Sequence, residues 1–209
     1  MALVPAFVVI SSCGAQLDAH TTLYQLRIEA CNTPAVQRAT AVAVAPDLLA
    51  TVAHSFDDAV ELSMVDANGE EVTGEVIYLD QAKDLALLRL EVPAANTLEL
   101  GEPENSGAVE IATYGESAGP STRDAEIVEL VQATLDGEGP RSAIRLEAEI
   151  NPGDSGAPVV DAEGLMVGMV FATVRGQERG WAVSAVEISD ALSDIAGQQP
   201  ETFGLTCSS

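Results

Sequence analysis

Basic side chains are scarce in this sequence. There are 9 lysines and arginines against 33 aspartates and glutamates, a formal net charge of −24, and the basic residues do not cluster. A phosphate-binding surface needs a local basic patch, so nucleic acid is excluded as a partner. The acidity reads as a solvated, weakly self-repelling surface, with a preference for cationic substrates as the other reading. Beyond the first dozen residues no apolar run reaches the length that crosses a bilayer, about 20 residues. Internal repeats, low-complexity tracts and a clear linker are also absent, so a second independent domain has no support. What is present is globular: 47% hydrophobic against 20% charged over 209 residues, enough to bury a full core and too apolar for wholesale disorder.

The N-terminus carries the short apolar run Ala2 to Ile10, a candidate export signal, followed by Ile10-Ser11-Ser12-Cys13. That tetrapeptide resembles a bacterial lipobox, in which a lipid caps the cysteine sulfur, so Cys13 is a lipidation candidate that would anchor the protein to a membrane. No lysine or arginine precedes the run and Pro5 interrupts it, so an ordinary buried segment or a late start is the other reading. Residues 1–20 are expected to be leader and linker, with His20 a linker residue. Three cysteines leave one thiol over in an exported protein, and Cys13 accounts for it. Cys31 and Cys207 either form a disulfide across most of the chain, contributing at most about 4–5 kcal/mol on the chain-entropy model, or are two unpaired thiols in a cytosolic protein.

From Thr40 onward, apolar runs of four to eight residues rich in Val, Ile and Leu are bounded by Gly, Pro, Asp and Asn, the spacing of an all-β chain. Asp66-Ala67-Asn68-Gly69 and Asp161-Ala162-Glu163-Gly164 read as hairpin turns. One segment differs. Ser184-Ala185-Val186-Glu187 reads as a capping box, with Val186, Ile188, Leu192 and Ile195 at helical spacing and Gly197 as the stop, so a C-terminal helix is expected to pack on the strands.

Three motifs follow in order: Thr51-Val52-Ala53-His54 at the end of an apolar strand, Asp84 opening the strand Leu85 to Leu90, and Asn151-Pro152-Gly153-Asp154-Ser155-Gly156-Ala157-Pro158. Each is weak alone. Together, in the order His, Asp, Ser, they resemble the trypsin-like serine endopeptidases, and the spacing and the Asn-Pro-Gly are most similar to the compact bacterial branch of HtrA-type and acid-resistance periplasmic proteases. The resemblance covers roughly Thr40 to Ile188. It implies a chymotrypsin-like double β-barrel, about 21–105 and 106–183, then a helix at about 185–196 and a tail. It also implies protein or peptide substrates, no cofactor and no metal, and it favours pairing Cys31 with Cys207. No PDZ domain is expected in the space after the helix.

The residue types suit the chemistry. A serine hydroxyl is a poor nucleophile without a base in hydrogen-bond contact. His54, with an ordinary pKa near about 6.5, can take the Ser155 proton, and Asp84 would orient the ring and stabilise the imidazolium. The N–H groups of Gly153 and Ser155 would form the oxyanion hole, where losing a donor typically costs about 2.7–4 kcal/mol. The sequence departs from the family at Ala157, where a glycine is usual, and at Arg38-Ala39-Thr40-Ala41, which replaces a Gly-Ser-Gly pattern. An Ile-Val-Gly-Gly type N-terminus is missing, so no new α-amino group is expected to pair with Asp154. By the same resemblance the strand Val170-Phe171-Ala172-Thr173 would pair with the substrate backbone, while Gly180, Trp181 and Ala182 would form the far wall of the specificity pocket; Trp181 reads equally as a core residue. Glu149, six residues before Ser155, would either sit at the pocket floor and favour Arg or Lys, or point to solvent. The expected function is an exported serine endopeptidase, periplasmic, cell-envelope or extracellular. The alternative is a catalytically inactive binding module on the same fold, lipid-anchored or not.

Overall fold

The computed structural model describes residues 18–31, 33–115, 119–134, 140–174, 176–197 and 202–207, so Cys13 and the apolar run lie outside the described residues. The first half forms β1 (Leu23–Ala30), β2 (Gln37–Ala45), β3 (Leu48–Thr51), β4 (Ala59–Val65), β5 (Glu71–Val72), β6 (Gly74–Asp80) and β7 (Leu85–Leu90). These pair in the order β5-β4-β1-β2-β3-β7-β6 as a curled half-barrel sheet. The second half forms β8 (Gly107–Thr113), β9 (Ser121–Ala133), β10 (Arg141–Glu147), β11 (Pro158–Val160), β12 (Met166–Thr173) and β13 (Gly180–Ser184). They close a barrel in the order β10-β13-β12-β11-β8-β9, and one helix, α1 (Ala185–Ile195), follows. The expected all-β, chymotrypsin-like fold with a C-terminal helix is the observed one.

β3, β7 and the middle of β2 read as continuous apolar runs because both of their faces are buried. Along β7, Ala86, Leu88 and Leu90 fill the first sheet's own core with Leu26, Ile28 and Met64. Leu85 and Leu87 point the other way and join Met169, Phe171 and Val183 of the second half and Ile188 of α1. This shared layer clamps the two halves together, and the site lies across it. A third cluster, with Ile111, Ile144, Leu146, Val159 and Val170, fills the closed barrel.

Both expected turns form. Asp66 Oδ1 accepts the N–H groups of Asn68 and Glu70, and Asp161 Oδ1 accepts those of Glu163 and Leu165, so each aspartate supplies the acceptors its tight turn needs. The capping box forms only in part. Ser184 Oγ accepts from the Val186 N–H at 3.3 Å, but Glu187 turns away from its own helix. Its carboxylate accepts the Ser142 N–H at 2.8 Å and pairs with Lys83 Nζ at 2.9 Å, a charged partner that outcompetes the neutral backbone N–H of a capping box. Val186, expected on the buried face, is exposed. Its place is taken by Ala191, which lies buried beside Ile188.

The first and last described segments are tied to the barrels. His20, read from sequence as a linker residue, sits in a short 3-10 turn and hydrogen-bonds to Thr122 of β9. Residues 202–207 run over the first sheet: the Phe203 N–H donates to the Val76 carbonyl at 2.9 Å and Leu205 packs on the core. Cys207 then closes a disulfide with Cys31, with Cα atoms 5.7 Å apart.

Candidate active site

His54 sits on a single 3-10 turn, Ala53–Phe56, that follows β3. Asp84 stands immediately before β7, with a left-handed backbone (φ 53°), a conformation that aspartate tolerates better than most residues and that recurs at functional positions. Since β3 and β7 are paired neighbours, the sheet delivers both residues to one edge. Asp84 then grips His54 twice: Oδ1 accepts the backbone N–H and Oδ2 accepts from ring Nδ1, both at 2.8 Å. An ionised carboxylate only accepts, so Nδ1 carries the hydrogen and Nε2 is left as the acceptor. The His54 side chain is 41% exposed and that of Asp84 10%. Burial pulls the imidazole pKa down, but the hydrogen bond and charge of Asp84, helped by Asp57, more than offset it. The net shift is upward from 6.5, with Arg141 opposing.

Ser155 sits on a tight loop between two left-handed glycines, Gly153 (φ 89°) and Gly156 (φ 85°). At Gly156 a Cβ would come 1.9 Å from the Thr40 carbonyl oxygen and 2.6 Å from Thr51 Oγ1, so glycine is demanded by space as well as by φ. The loop is docked on the first sheet through Thr40. Its N–H donates to the Ser155 carbonyl (2.8 Å) and its hydroxyl donates to the Gly153 carbonyl (2.9 Å). Thr51, three residues ahead of His54, donates to the Thr40 carbonyl at 2.8 Å, and so ties the serine loop to the strand that delivers the histidine. Thr40 thus fills the space of the missing glycine pattern with anchoring hydrogen bonds. Ala157 is fully buried and its N–H donates to the Asp154 carbonyl at 2.9 Å, so the methyl at this position is accommodated. Among the described residues the N–H groups of Gly153 and Ser155 have no acceptor, and no hydrogen bond joins the Ser155 hydroxyl to His54.

Asp154 is 2% exposed and fully satisfied. Its Oδ1 accepts from the Thr113 hydroxyl (2.7 Å), and its Oδ2 from Arg123 Nη2 (2.6 Å) and the Asn151 N–H (2.7 Å). A side-chain guanidinium on β9 therefore supplies the counter-charge.

A cleft of about 580 Å³ opens beside Ser155, lined by Glu149, Ile150, Phe171, Ala172, Thr173 and Glu178 among others. Glu149 is exposed. Its carbonyl accepts from Arg123 Nη1 (3.1 Å) and its carboxylate from Asn151 Nδ2 (3.3 Å). Gly180 is not part of the cleft lining, because Ile150 covers it: a Cβ there would meet Ile150 Cγ1 at 2.7 Å. Trp181 lines a separate apolar groove with Val131, Ala133 and Phe171. No group of three or more His, Cys, Asp or Glu residues among the described ones is placed to hold a metal ion.

The family model for the trypsin-like peptidase domain matches residues 39–169. The chain belongs to the trypsin-like peptidase family. Serine protease Rv3671c of Mycobacterium tuberculosis is 26% identical over 178 residues, 81% of this chain and 45% of that protein. A probable periplasmic serine endoprotease, DegP-like, of Halomonas elongata is 27% identical over 121 residues, 57% of this chain and 26% of that protein. This chain thus spans less than half the length of these relatives. The crystal structure of the Rv3671c protease in its active form superposes with a TM-score of 0.79 at 24% identity, over 91% of this chain and 87% of that one. The matched span of this trypsin-like peptidase domain contains His54, Asp84 and Ser155, together with two residues that sequence reasoning passed over. Neither Arg123 nor Arg141 left a signal in the sequence, since arginines also stand in other strands, at Arg27, Arg38, Arg89 and Arg145.

Proposed function

We propose that this chain is an exported serine endopeptidase that cleaves peptide or protein substrates through an acyl-enzyme, with Ser155 as nucleophile, His54 as base and Asp84 as the group that orients it. The observation that carries this reading is the double grip of Asp84 on His54, which leaves Nε2 free to accept a proton. As the Ser155 oxygen bonds to the scissile carbonyl carbon, its proton passes to Nε2 and the carbonyl electron pair moves onto oxygen. The unpaired N–H groups of Gly153 and Ser155 suit that oxyanion. Collapse breaks the C–N bond, and the leaving amine takes the proton from His54. Water then adds to the ester by the same route and releases Ser155. Catalytic hydrogen bonds between nucleophile and base are often long without substrate and tighten when it binds.

Lining of the cleft by Phe171, Ala172, Thr173 and Glu149 supports their role in holding substrate. Two carboxylates, Glu149 and Glu178, above an apolar wall suit a long basic side chain before the scissile bond. Export is supported by the Cys31–Cys207 disulfide, which persists in oxidising compartments, and by the periplasmic relative. Lipidation of Cys13 would add an anchor, and the mass of the mature N-terminus reports it. The deciding assay is hydrolysis of an unfolded protein substrate by wild type and Ser155→Ala, each checked for folding. Wild type is expected to cleave, and the variant to lose at least about 10⁴-fold. A folded wild type that binds the substrate without cleaving it would favour the binding module.

A further inference from the structure

Arg141 opens β10 and is 2% exposed, one of only 9 basic residues in the chain. Two of its nitrogens, Nε and Nη1, are buried with no hydrogen-bond partner among the described residues. Burying a guanidinium with orphaned donors is costly, and an apolar side chain of similar volume would stabilise the same space as well or better. Its neighbours suggest what the charge does. On one side Nη1 lies 3.9 Å from Asp84 Oδ2, the same oxygen that accepts from His54 Nδ1. On the other, the guanidinium carbon is 5.1 Å from the centroid of the Phe171 ring, which lines the cleft beside Ser155. Glu187, whose carboxylate accepts the N–H of Ser142 beside Arg141, is already committed there and to Lys83.

We propose that Arg141 is a positioning residue for the His54–Asp84 couple, its guanidinium held against Asp84 by the Phe171 ring and thereby linking the wall of the substrate cleft to the orientation and basicity of the histidine. The inference rests on the proteolytic reading above. The groups that act on His54 come from three directions: Asp84 ahead of β7, Asp57 just past the histidine's own turn, and Arg141 from β10, the single cation among them. Beyond these, the Lys83–Glu187 pair is nearly self-neutralising. A cation behind Asp84 opposes protonation of the ring, so the base is free at lower pH than Asp84 and Asp57 alone would allow. The Phe171 contact makes this sensitive to the cleft wall: loosening the ring lets the guanidinium move off the carboxylate.

The test compares wild type with Arg141→Met, which removes the charge, Arg141→Lys, which keeps it, and Phe171→Leu, which removes the stacking surface. His54 is one of two histidines, so its imidazole is resolved by NMR titration once His20→Gln identifies the other signal. The same proteins are labelled with a fluorophosphonate across pH. Arg141→Met is expected to raise the His54 midpoint and to move the acid limb of labelling with it. Arg141→Lys is expected to hold the midpoint while labelling more slowly at the plateau, and Phe171→Leu to shift it part of the way up. A folded Arg141→Met with an unmoved midpoint overturns the proposal. Should that variant not fold, an unmoved midpoint in Phe171→Leu overturns it. If wild type labels at no pH, the proteolytic reading falls, while the NMR titration still decides whether Arg141 governs His54.

Discussion

The counter-charge on Asp154 gives the most exacting test of how the serine loop is held. Arg123→Met removes a charge-assisted hydrogen bond of 2.6 Å to a carboxylate that is 2% exposed, and with it the bond to the Glu149 carbonyl. The charge-assisted bond to Asp154 contributes about 1.5–3 kcal/mol and the solvent-exposed bond from the same guanidinium to the Glu149 carbonyl adds about 1 more, so the expected loss of stability is about 2–4 kcal/mol. Breaking a fully buried pair can cost about 3–5 kcal/mol, but the Arg123 side chain is 25% exposed, which argues for the lower range. Asp154 keeps the Thr113 hydroxyl and the Asn151 N–H, so the fold survives while the loop loosens. If one oxyanion donor is thereby lost, acylation slows by about 10²–10³. Urea unfolding and the rate of fluorophosphonate acylation measure the two effects separately, and Arg123→Lys is expected to fall between. A folded Arg123→Met that acylates within about twofold of wild type would refute the idea that this ion pair shapes the oxyanion loop.

The raised His54 pKa gives activity and stability opposite pH dependences. A pKa above 6.5 in the folded state makes its stabilising contribution full below about 6.5 and lost as pH rises through the folded value, whereas only the neutral ring acts as base. Hydrolysis is therefore expected to rise with pH through a midpoint above 6.5, and the stability gap between wild type and His54→Gln to shrink over the same interval; a flat activity profile between about pH 5 and 8 contradicts the role. Gly156→Ala forces a methyl into the Thr40 carbonyl and is expected to unfold or undock the serine loop, with thermal melting and labelling both lost; near-normal melting and labelling would show the loop to be more plastic than argued. Replacing Cys31 and Cys207 by serine removes a link across 176 residues and is expected to lower stability by up to about 4–5 kcal/mol in urea titration, while an unchanged midpoint would mean the tail is held by Phe203 and Leu205 alone.

Much of this architecture was written locally. The strand runs and the two aspartate turns announce themselves through period and turn chemistry, because each depends on neighbours within a few residues. The His, Asp and Ser motifs were legible for the same reason: each sits where a strand ends, begins or turns. What escaped were long-range electrostatic choices. Arg123 meets Asp154 across 31 residues, and Arg141 meets Asp84 because β10 and β7 face the shared layer, relations no periodicity records. Glu187 shows the converse. Its spacing from Ser184 spells a capping box, but a lysine from the other half of the fold takes the carboxylate instead. Gly180 matches a pocket wall by motif order, yet Ile150, a neighbour only in space, covers it.

The central claim is that folding turns one serine among many into an activated nucleophile, and mapping the adduct of a fluorophosphonate on the intact protein tests it most directly. One adduct per chain is predicted, on Ser155, formed by wild type and slowed by orders of magnitude in Asp84→Asn, whose amide cannot hold the ring in the same tautomer. Folded wild type that stays unlabelled, or an adduct elsewhere that forms equally fast in Asp84→Asn, would contradict it.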